Sequence, residues 1–151
     1  MKRILLIGLF FLIFAGGCAH NGLNGGYGDE SYKAALLKER IDENWNAMIA
    51  ADKRKVYDIY DPFFKIAVNY EVWPGRNAPG KYYSFEVKNM DILGNVAYVT
   101  MDVEYSYSIT GSFGQKIERE KTKATFDEVW IFVDGSWYRQ FKDAMTDAIF
   151  A

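Results

Sequence analysis

The chain has 151 residues, with eighteen Lys and Arg against twenty Asp and Glu and a formal net charge of −2. That balance excludes the broad basic face on which nucleic-acid binding rests. Half of the residues are hydrophobic and 17 % are aromatic, enough for one domain with a proper core. A lone cysteine leaves no internal disulfide to build, so the core has to hold by packing alone.

Lys2 and Arg3 head an apolar run from Ile4 to Phe14, which Gly16 and Gly17 end before Cys18. The run has the length of a secretory h-region. It falls short of the about 18 apolar residues that a membrane span requires. Residues 1–17 therefore read as a signal peptide. With Ala15, Gly16 and Gly17 ahead of Cys18, the segment resembles the signal of bacterial lipoproteins, although Ala15 stands where that pattern most often has Leu. The resemblance implies lipid on the Cys18 sulfur, cleavage before Cys18, and attachment to the membrane through it. Ala19 and not Asp follows the cysteine, which by the sorting rule of Gram-negative lipoproteins implies the outer membrane. The alternative is a plain secretory signal that leaves Cys18 as a free thiol.

Residues 18–30 read as the lipidated cysteine and a tether, with Gly22, Gly25, Gly26 and Gly28. A Gly-rich coil of this length spans roughly 15–20 Å. His20, the only histidine, lies in it, away from any partner for catalysis or metal binding. Residues 31–151 read as a single domain.

The domain opens with helices. Leu37, Ile41, Trp45 and Met48 form one apolar stripe, which predicts a helix over 31–51. Asp52 has the position of a cap for a second helix over 53–60. Asp61-Pro62 marks a third start, with proline where its missing N–H costs nothing. Val68 to Val72 suits a short strand, and Pro74-Gly75 and Pro79-Gly80 mark turns.

From Lys81 onward the pattern is β. Tyr83, Phe85 and Val87 alternate with Tyr82, Ser84 and Glu86, and Gly94-Asn95 marks a hairpin. Ala97, Val99, Met101, Val103, Tyr105, Tyr107 and Ile109 then share one face of a long half-buried strand. Lys116 to Lys123 reads as the charged, exposed start of the next strand. Phe126, Trp130 and Phe132 on one face, with Val129, Ile131 and Val133 on the other, predict a stretch covered on both sides. Asp134-Gly135 is a strong hairpin signal ahead of a last strand over 136–141. A tail over 142–151 ends in Ala148-Ile149-Phe150 and suits a docking turn. Helices first and antiparallel strands after make an α+β fold.

Several local motifs in this order resemble one superfamily. They are Trp45-Asn46-Ala47 ahead of Asp52, Tyr60-Asp61-Pro62-Phe63-Phe64, Asn95-Val96-Ala97-Tyr98-Val99, and Glu128 to Asp134-Gly135-Ser136-Trp137-Tyr138. Together they resemble the nuclear transport factor 2-like superfamily, which includes SnoaL-like and ketosteroid-isomerase-like proteins. The resemblance implies N-terminal helices packed in the concave side of a strongly bent antiparallel sheet of four to six strands. That shape is a cone with a pocket at its open end. The superfamily hosts isomerases, dehydratases, binding domains and dimerisation modules, so the fold does not choose a function.

Glu128, between Phe126 and Trp130 on an apolar face, is the candidate catalytic residue. A carboxylate desolvated there, near a tyrosine donor, has the environment of a general base. The competing reading is an ion pair with Lys or Arg across the sheet. Asp102 and Glu104 share a strand face that solvent explains, and Asp52 and Asp61 suit helix caps. Tyr70, Trp73, Tyr83, Phe126 and Trp130 are candidates for lining a pocket or a contact surface, Trp73 above all for its place beside a turn. No metal site and no cofactor is expected. The leading expectation is a membrane-anchored, non-catalytic module that binds a small apolar ligand or assembles with an envelope partner or as a homodimer. A SnoaL-like isomerase, dehydratase or small hydrolase, and a glycan- or peptidoglycan-contacting module, are the alternatives.

Overall fold

A computed structural model describes residues 30–77 and 80–141. The stretches read as a signal peptide (1–17) and a tether, Cys18 among them, and the tail over 142–151 lie outside the described residues. The elements are α1 (Glu30–Ile49), α2 (Lys53–Ile59), α3 (Pro62–Ala67), a 3-10 turn (Pro74–Asn77), β1 (Gly80–Leu93), β2 (Val96–Thr110), β3 (Lys116–Glu118), β4 (Thr122–Val133) and β5 (Ser136–Arg139). The fold is α+β, with the helices packed against a curved antiparallel sheet.

The helices start where their caps predict. The Asp52 side chain accepts from Lys55 N at 3.0 Å, and the Asp61 side chain from Phe64 N at 2.9 Å, with Pro62 at the first helical position. The strand expected over 68–72 is absent. Asn69 Oδ1 instead accepts from the backbone N–H of Glu71 and Val72, and this local turn outcompetes the β-branched pattern around it.

The sheet order is β1-β2-β4-β5, with β3 beside the far end of β2. The charged segment over 116–123 is not one strand. β3 and β4 both pair with β2, on either side of a non-strand stretch at Arg119–Lys121, where Arg119 N still donates to Tyr107 O at 2.8 Å. Two register shifts interrupt β1, between Tyr82 and Ser84 and between Val87 and Asn89. Such bulges bend a strand and raise its twist. The first one moves Tyr82, not Tyr83, onto the concave face with Phe85 and Val87. At the β4–β5 hairpin Asp134 and Gly135 both have positive φ, 48° and 82°, as a two-residue loop of this kind requires.

The core lies between α1 and the concave face. Leu37, Ile41 and Trp45 meet Ala97, Val99, Met101, Val103, Trp130, Phe132 and Trp137. The Trp45 ring packs against Tyr82 (5.5 Å), Phe85 (5.9 Å) and Phe126 (6.2 Å). At its N-terminal end α1 is tied to the β1–β2 turn. Lys33 Nζ donates to Gly94 O at 2.8 Å and to Asn95 Oδ1 at 2.7 Å.

The convex face differs from the expectation of cover on both sides. Val129, Ile131 and Val133 are half-buried, and no second layer of the described residues lies over them. Their side chains shield one another only within the sheet. The free edge of β5 is held from the helical side. Tyr60 bridges Arg139 in parallel, and Asp61 N donates to Arg139 O at 3.0 Å. Asp61 therefore caps α3 with its side chain while its backbone holds the sheet edge. Asp61→Ala is expected to cost about 1–2 kcal/mol in urea denaturation, and the exposed cap change Asp52→Ala about 1 kcal/mol or less. An Asp61→Ala effect smaller than that of Asp52→Ala would contradict this role.

Candidate functional site

The concave face of β4 carries Phe126, Glu128, Trp130 and Phe132, and that of β5 carries Trp137 and Arg139. Glu128 is 4 % exposed. Its Oε2 accepts from Trp130 Nε1 at 3.0 Å, and Arg139 Nε lies 2.8 Å from its Oε1. The Arg139 approach is close enough for strong attraction but not aligned for a hydrogen bond, so Oε1 accepts none. Burial works against the Arg139 charge. The Glu128 carboxylate, together with Tyr60 and Tyr82, outweighs it and raises the guanidinium above its ordinary range.

Rings enclose the pair. The Arg139 guanidinium lies 5.8 Å from the Trp45 ring centre and 5.7 Å from that of Tyr60, distances at which a cation is drawn to an aromatic face. Burial pushes the Tyr82 phenol up, with the Arg139 charge pulling the other way. Three buried polar atoms around this point have no hydrogen-bond partner among the described residues: Arg139 Nη1, Trp45 Nε1 and Glu128 Oε1. Asn44, fully buried one residue before Trp45, leaves both of its side-chain polar atoms unpaired as well.

A series of rings leads outward from there. Trp45 meets Phe126, Phe126 meets Tyr105 at 5.6 Å, and Tyr105 meets Tyr107 at 6.5 Å. Along β2 the concave residues pass from buried Val103 through half-buried Tyr105 to Tyr107, which is 43 % exposed. A cleft of about 590 Å³ opens there, lined by Tyr105, Tyr107, Glu118, Arg119, Glu120 and Thr122. Between this open cleft and the buried pair the rings of Tyr105, Phe126 and Trp45 are in contact with one another.

The five aromatic candidates separate. Phe126 and Trp130 line the concave side with Glu128. Tyr83 faces the other way, with its hydroxyl 3.0 Å from Ser106 Oγ and Lys121 Nζ 3.9 Å above its ring. Tyr70 and Trp73 belong to a second cluster with Ala47, Val56, Tyr57 and Tyr60. Trp73 is 4 % exposed, which corrects its expected place on the surface and removes the ring that a glycan-contact patch would have used. Gly75 makes that burial feasible, since a Cβ there would collide with the Trp73 ring. Asp102 accepts from Thr125 Oγ1 at 2.9 Å and Glu104 lies 3.9 Å from Lys121, both on the solvated face. Among the described residues no three His, Cys, Asp or Glu converge as metal ligands would. Cys18 lies outside the described residues.

Sequence reasoning passed over Arg139, Tyr60 and Asn44 as site residues. Arg139 left a signal: it is two residues from Trp137 on the same strand, so it shares that inward face, beside an inward acid on β4.

No protein-family model matches the chain, and no curated protein is similar to it at a significant level. Solved structures are similar. A SEC-C motif containing protein from Rhodopseudomonas palustris is 14 % identical with a TM-score of 0.50, over 78 % of this chain and 79 % of that one. The α+β order and the curved antiparallel sheet of five strands agree with the fold that the superfamily resemblance implies. An NTF2-like family protein from Streptomyces avermitilis, provisionally named a dehydratase, is 10 % identical with a TM-score of 0.49, over 76 % and 99 %. An NTF2-like superfamily protein from Salmonella enterica serovar Typhimurium is 15 % identical with a TM-score of 0.42, over 72 % and 86 %. At such identities the likeness is one of fold alone.

Removing either partner of the buried pair leaves the other charge uncompensated. Glu128→Leu and Arg139→Met are each expected to cost about 3–5 kcal/mol in chemical denaturation, and the double variant is expected to recover most of that loss. Additive losses in the double variant would mean that the two charges do not depend on each other.

Proposed function

We propose that the protein is a lipid-anchored lipoprotein of the bacterial envelope. Its nuclear-transport-factor-2-like domain binds a small, mostly apolar ligand with one polar end, without catalysis. The anchoring half rests on the leader, on Cys18, and on Ala19 after it, which favours the outer membrane. Among the described residues no helix is long and apolar enough to cross a membrane. In the proposed anchor each buried methylene of the lipid contributes about 0.8 kcal/mol.

The binding half rests on one observation: two buried donors, Arg139 Nη1 and Trp45 Nε1, have no hydrogen-bond partner among the described residues, behind the series of rings that begins at the Tyr105–Tyr107 cleft. Leaving such groups unpaired costs about 1–3 kcal/mol each, so a molecule that satisfies them gains affinity from it. Arg139 Nη1 and Trp45 Nε1 donate, which suits a phenolic or carbonyl oxygen. Phe126, Tyr82 and Tyr105 suit an apolar body. Glu128 is not the lone acid that the isomerase reading needs. Its charge is engaged by a guanidinium and an indole N–H, so its chemistry is that of an anchor.

The half-buried Val129, Ile131 and Val133 and the 51 % exposed Tyr98 on the convex face support a second reading, assembly through that face. A concentration-dependent dimer in sedimentation that Ile131→Asp abolishes is its expected signature, and a strict monomer would exclude it.

Two measurements test the proposal. Cys18→Ser is expected to move the protein from the membrane pellet to the soluble fraction, and a variant that still needs detergent for release would overturn the anchor. In a titration with p-cresol, the indole N–H resonance of Trp45 is expected to shift while that of Trp137, already bonded to Lys33 O at 2.9 Å, stays in place. Equal shifts of all indoles, or none, would overturn the site.

A further inference from the structure

The tip of the β2–β3 hairpin carries the most exposed large apolar side chain among the described residues, Phe113 at 95 %. The turn that presents it is closed by its own hydrogen bonds. Gly111 N donates to Gln115 O at 2.8 Å, Gly114 N to Gly111 O at 2.9 Å, and Phe113 N to Gln115 Oε1 at 3.1 Å. Gly114 has φ 79°, the left-handed conformation that glycine takes without strain. Behind the tip, exposed Tyr107 and Ile109 share one face of β2, and exposed Ile117 lies opposite Ile109 on β3. The hairpin therefore ends in apolar side chains that stay open to solvent.

Positive charge flanks this end. Lys81 Nζ and Lys121 Nζ both lie over the Tyr83 ring, at 5.3 Å and 3.9 Å. Among the described residues the carboxylate paired with them is that of Glu104, 3.9 Å from Lys121. Lys116 and Arg119 have no carboxylate partner among the described residues. A cleft of about 260 Å³ has Lys81, Lys116, Ser106 and Ser108 in its lining, which suits the oxygens of a phosphate. Glu118 also lines it and opposes an anion, and the two ammonium groups outweigh it. We infer that the β2–β3 hairpin docks on the surface of an anionic phospholipid membrane, with Phe113 among the acyl chains and a headgroup phosphate between Lys81 and Lys116.

Apolar side chains beside unpaired Lys and Arg are the combination that a bilayer interface takes up. Exposed apolar side chains on α3 lack it. Phe63 and Ile66 are exposed there, but Lys65 Nζ donates to Asp58 O at 2.8 Å, Arg54 pairs with Asp58 at 3.4 Å, and Arg76 pairs with Glu71. The chain as a whole carries a net charge of −2, so an anionic surface draws this end and orients the domain. A second copy is a poorer occupant, because β3 offers an edge of only three residues, all exposed and two of them charged. The inference stands apart from the ligand site and from the anchor at Cys18. Where all three hold, the Tyr105–Tyr107 cleft, which Arg119 also lines, opens beside the lipid.

The test is amide hydrogen exchange on the full chain carrying Cys18→Ser, so that no anchor lipid contributes. Phosphatidylglycerol vesicles are expected to slow exchange across residues 109–117 by about fivefold or more, and phosphatidylcholine vesicles to leave it unchanged. Phe113→Ser, and Lys81→Gln combined with Lys116→Gln, are each expected to raise the lipid concentration for half-maximal protection by about tenfold or more. These side chains are exposed, so the fold does not depend on them. Phe63→Ser, on α3, is expected to change nothing. Unprotected 109–117 on phosphatidylglycerol would overturn the inference, as would equal protection on both lipids. Protection without vesicles that falls on dilution would assign the hairpin to a second copy. Protection by inorganic phosphate alone would assign the cleft to a soluble anion, and either result overturns docking on a membrane.

Discussion

Glu128 and Arg139 keep their charges inside the protein only because four separate elements converge on them. β4 supplies the carboxylate and β5 the guanidinium. α1 covers the pair with Trp45, and the stretch between α2 and α3 closes it with Tyr60. Such a pair gains little over an apolar pair of similar size but is costly to break. It therefore constrains the arrangement around it. β5 must run alongside β4 in a register that sets Arg139 opposite Trp130, and the edge of β5 must be held, which the Asp61 backbone does. The two hydrophobic clusters meet at this point, since Tyr60 belongs to one and Trp45 to the other.

Local periodicity made much of this legible. The stripe of Leu37, Ile41 and Trp45, the caps at Asp52 and Asp61, the Asp134-Gly135 hairpin and the long alternation of β2 each follow from neighbours in sequence. Features set by distant partners were not legible. The bulge that exchanges Tyr82 and Tyr83 depends on how β1 pairs with β2. Trp73 sits beside a turn, where exposure is the ordinary outcome, but it is buried because Tyr57 and Tyr60 wait for its ring at 5.7 Å and 5.6 Å. Glu128 was legible as an inward acid. Its partner was not, because the pairing needs the β4–β5 register as well as the period.

The candidate site changes character once the partner is known. An acid alone in an apolar pocket suggests proton transfer. The same acid between a guanidinium and an indole N–H is a fixed polar floor, and the atoms that the pairing leaves over become the recognition groups. Aromatic walls and few polar contacts are the usual make-up of a small-molecule pocket. A domain of this kind on a lipid anchor and a Gly-rich tether would hold its ligand within tens of ångströms of the membrane.

The most direct measurement is a high-resolution crystal structure of the protein purified from its native cells. The account predicts electron density for a bound molecule that accepts from Arg139 Nη1 and Trp45 Nε1, with its body against the rings of Phe126, Tyr82 and Tyr105. If those two donors are instead paired with other side chains and no molecule lies against the rings, the interior is a structural core and the binding account is contradicted.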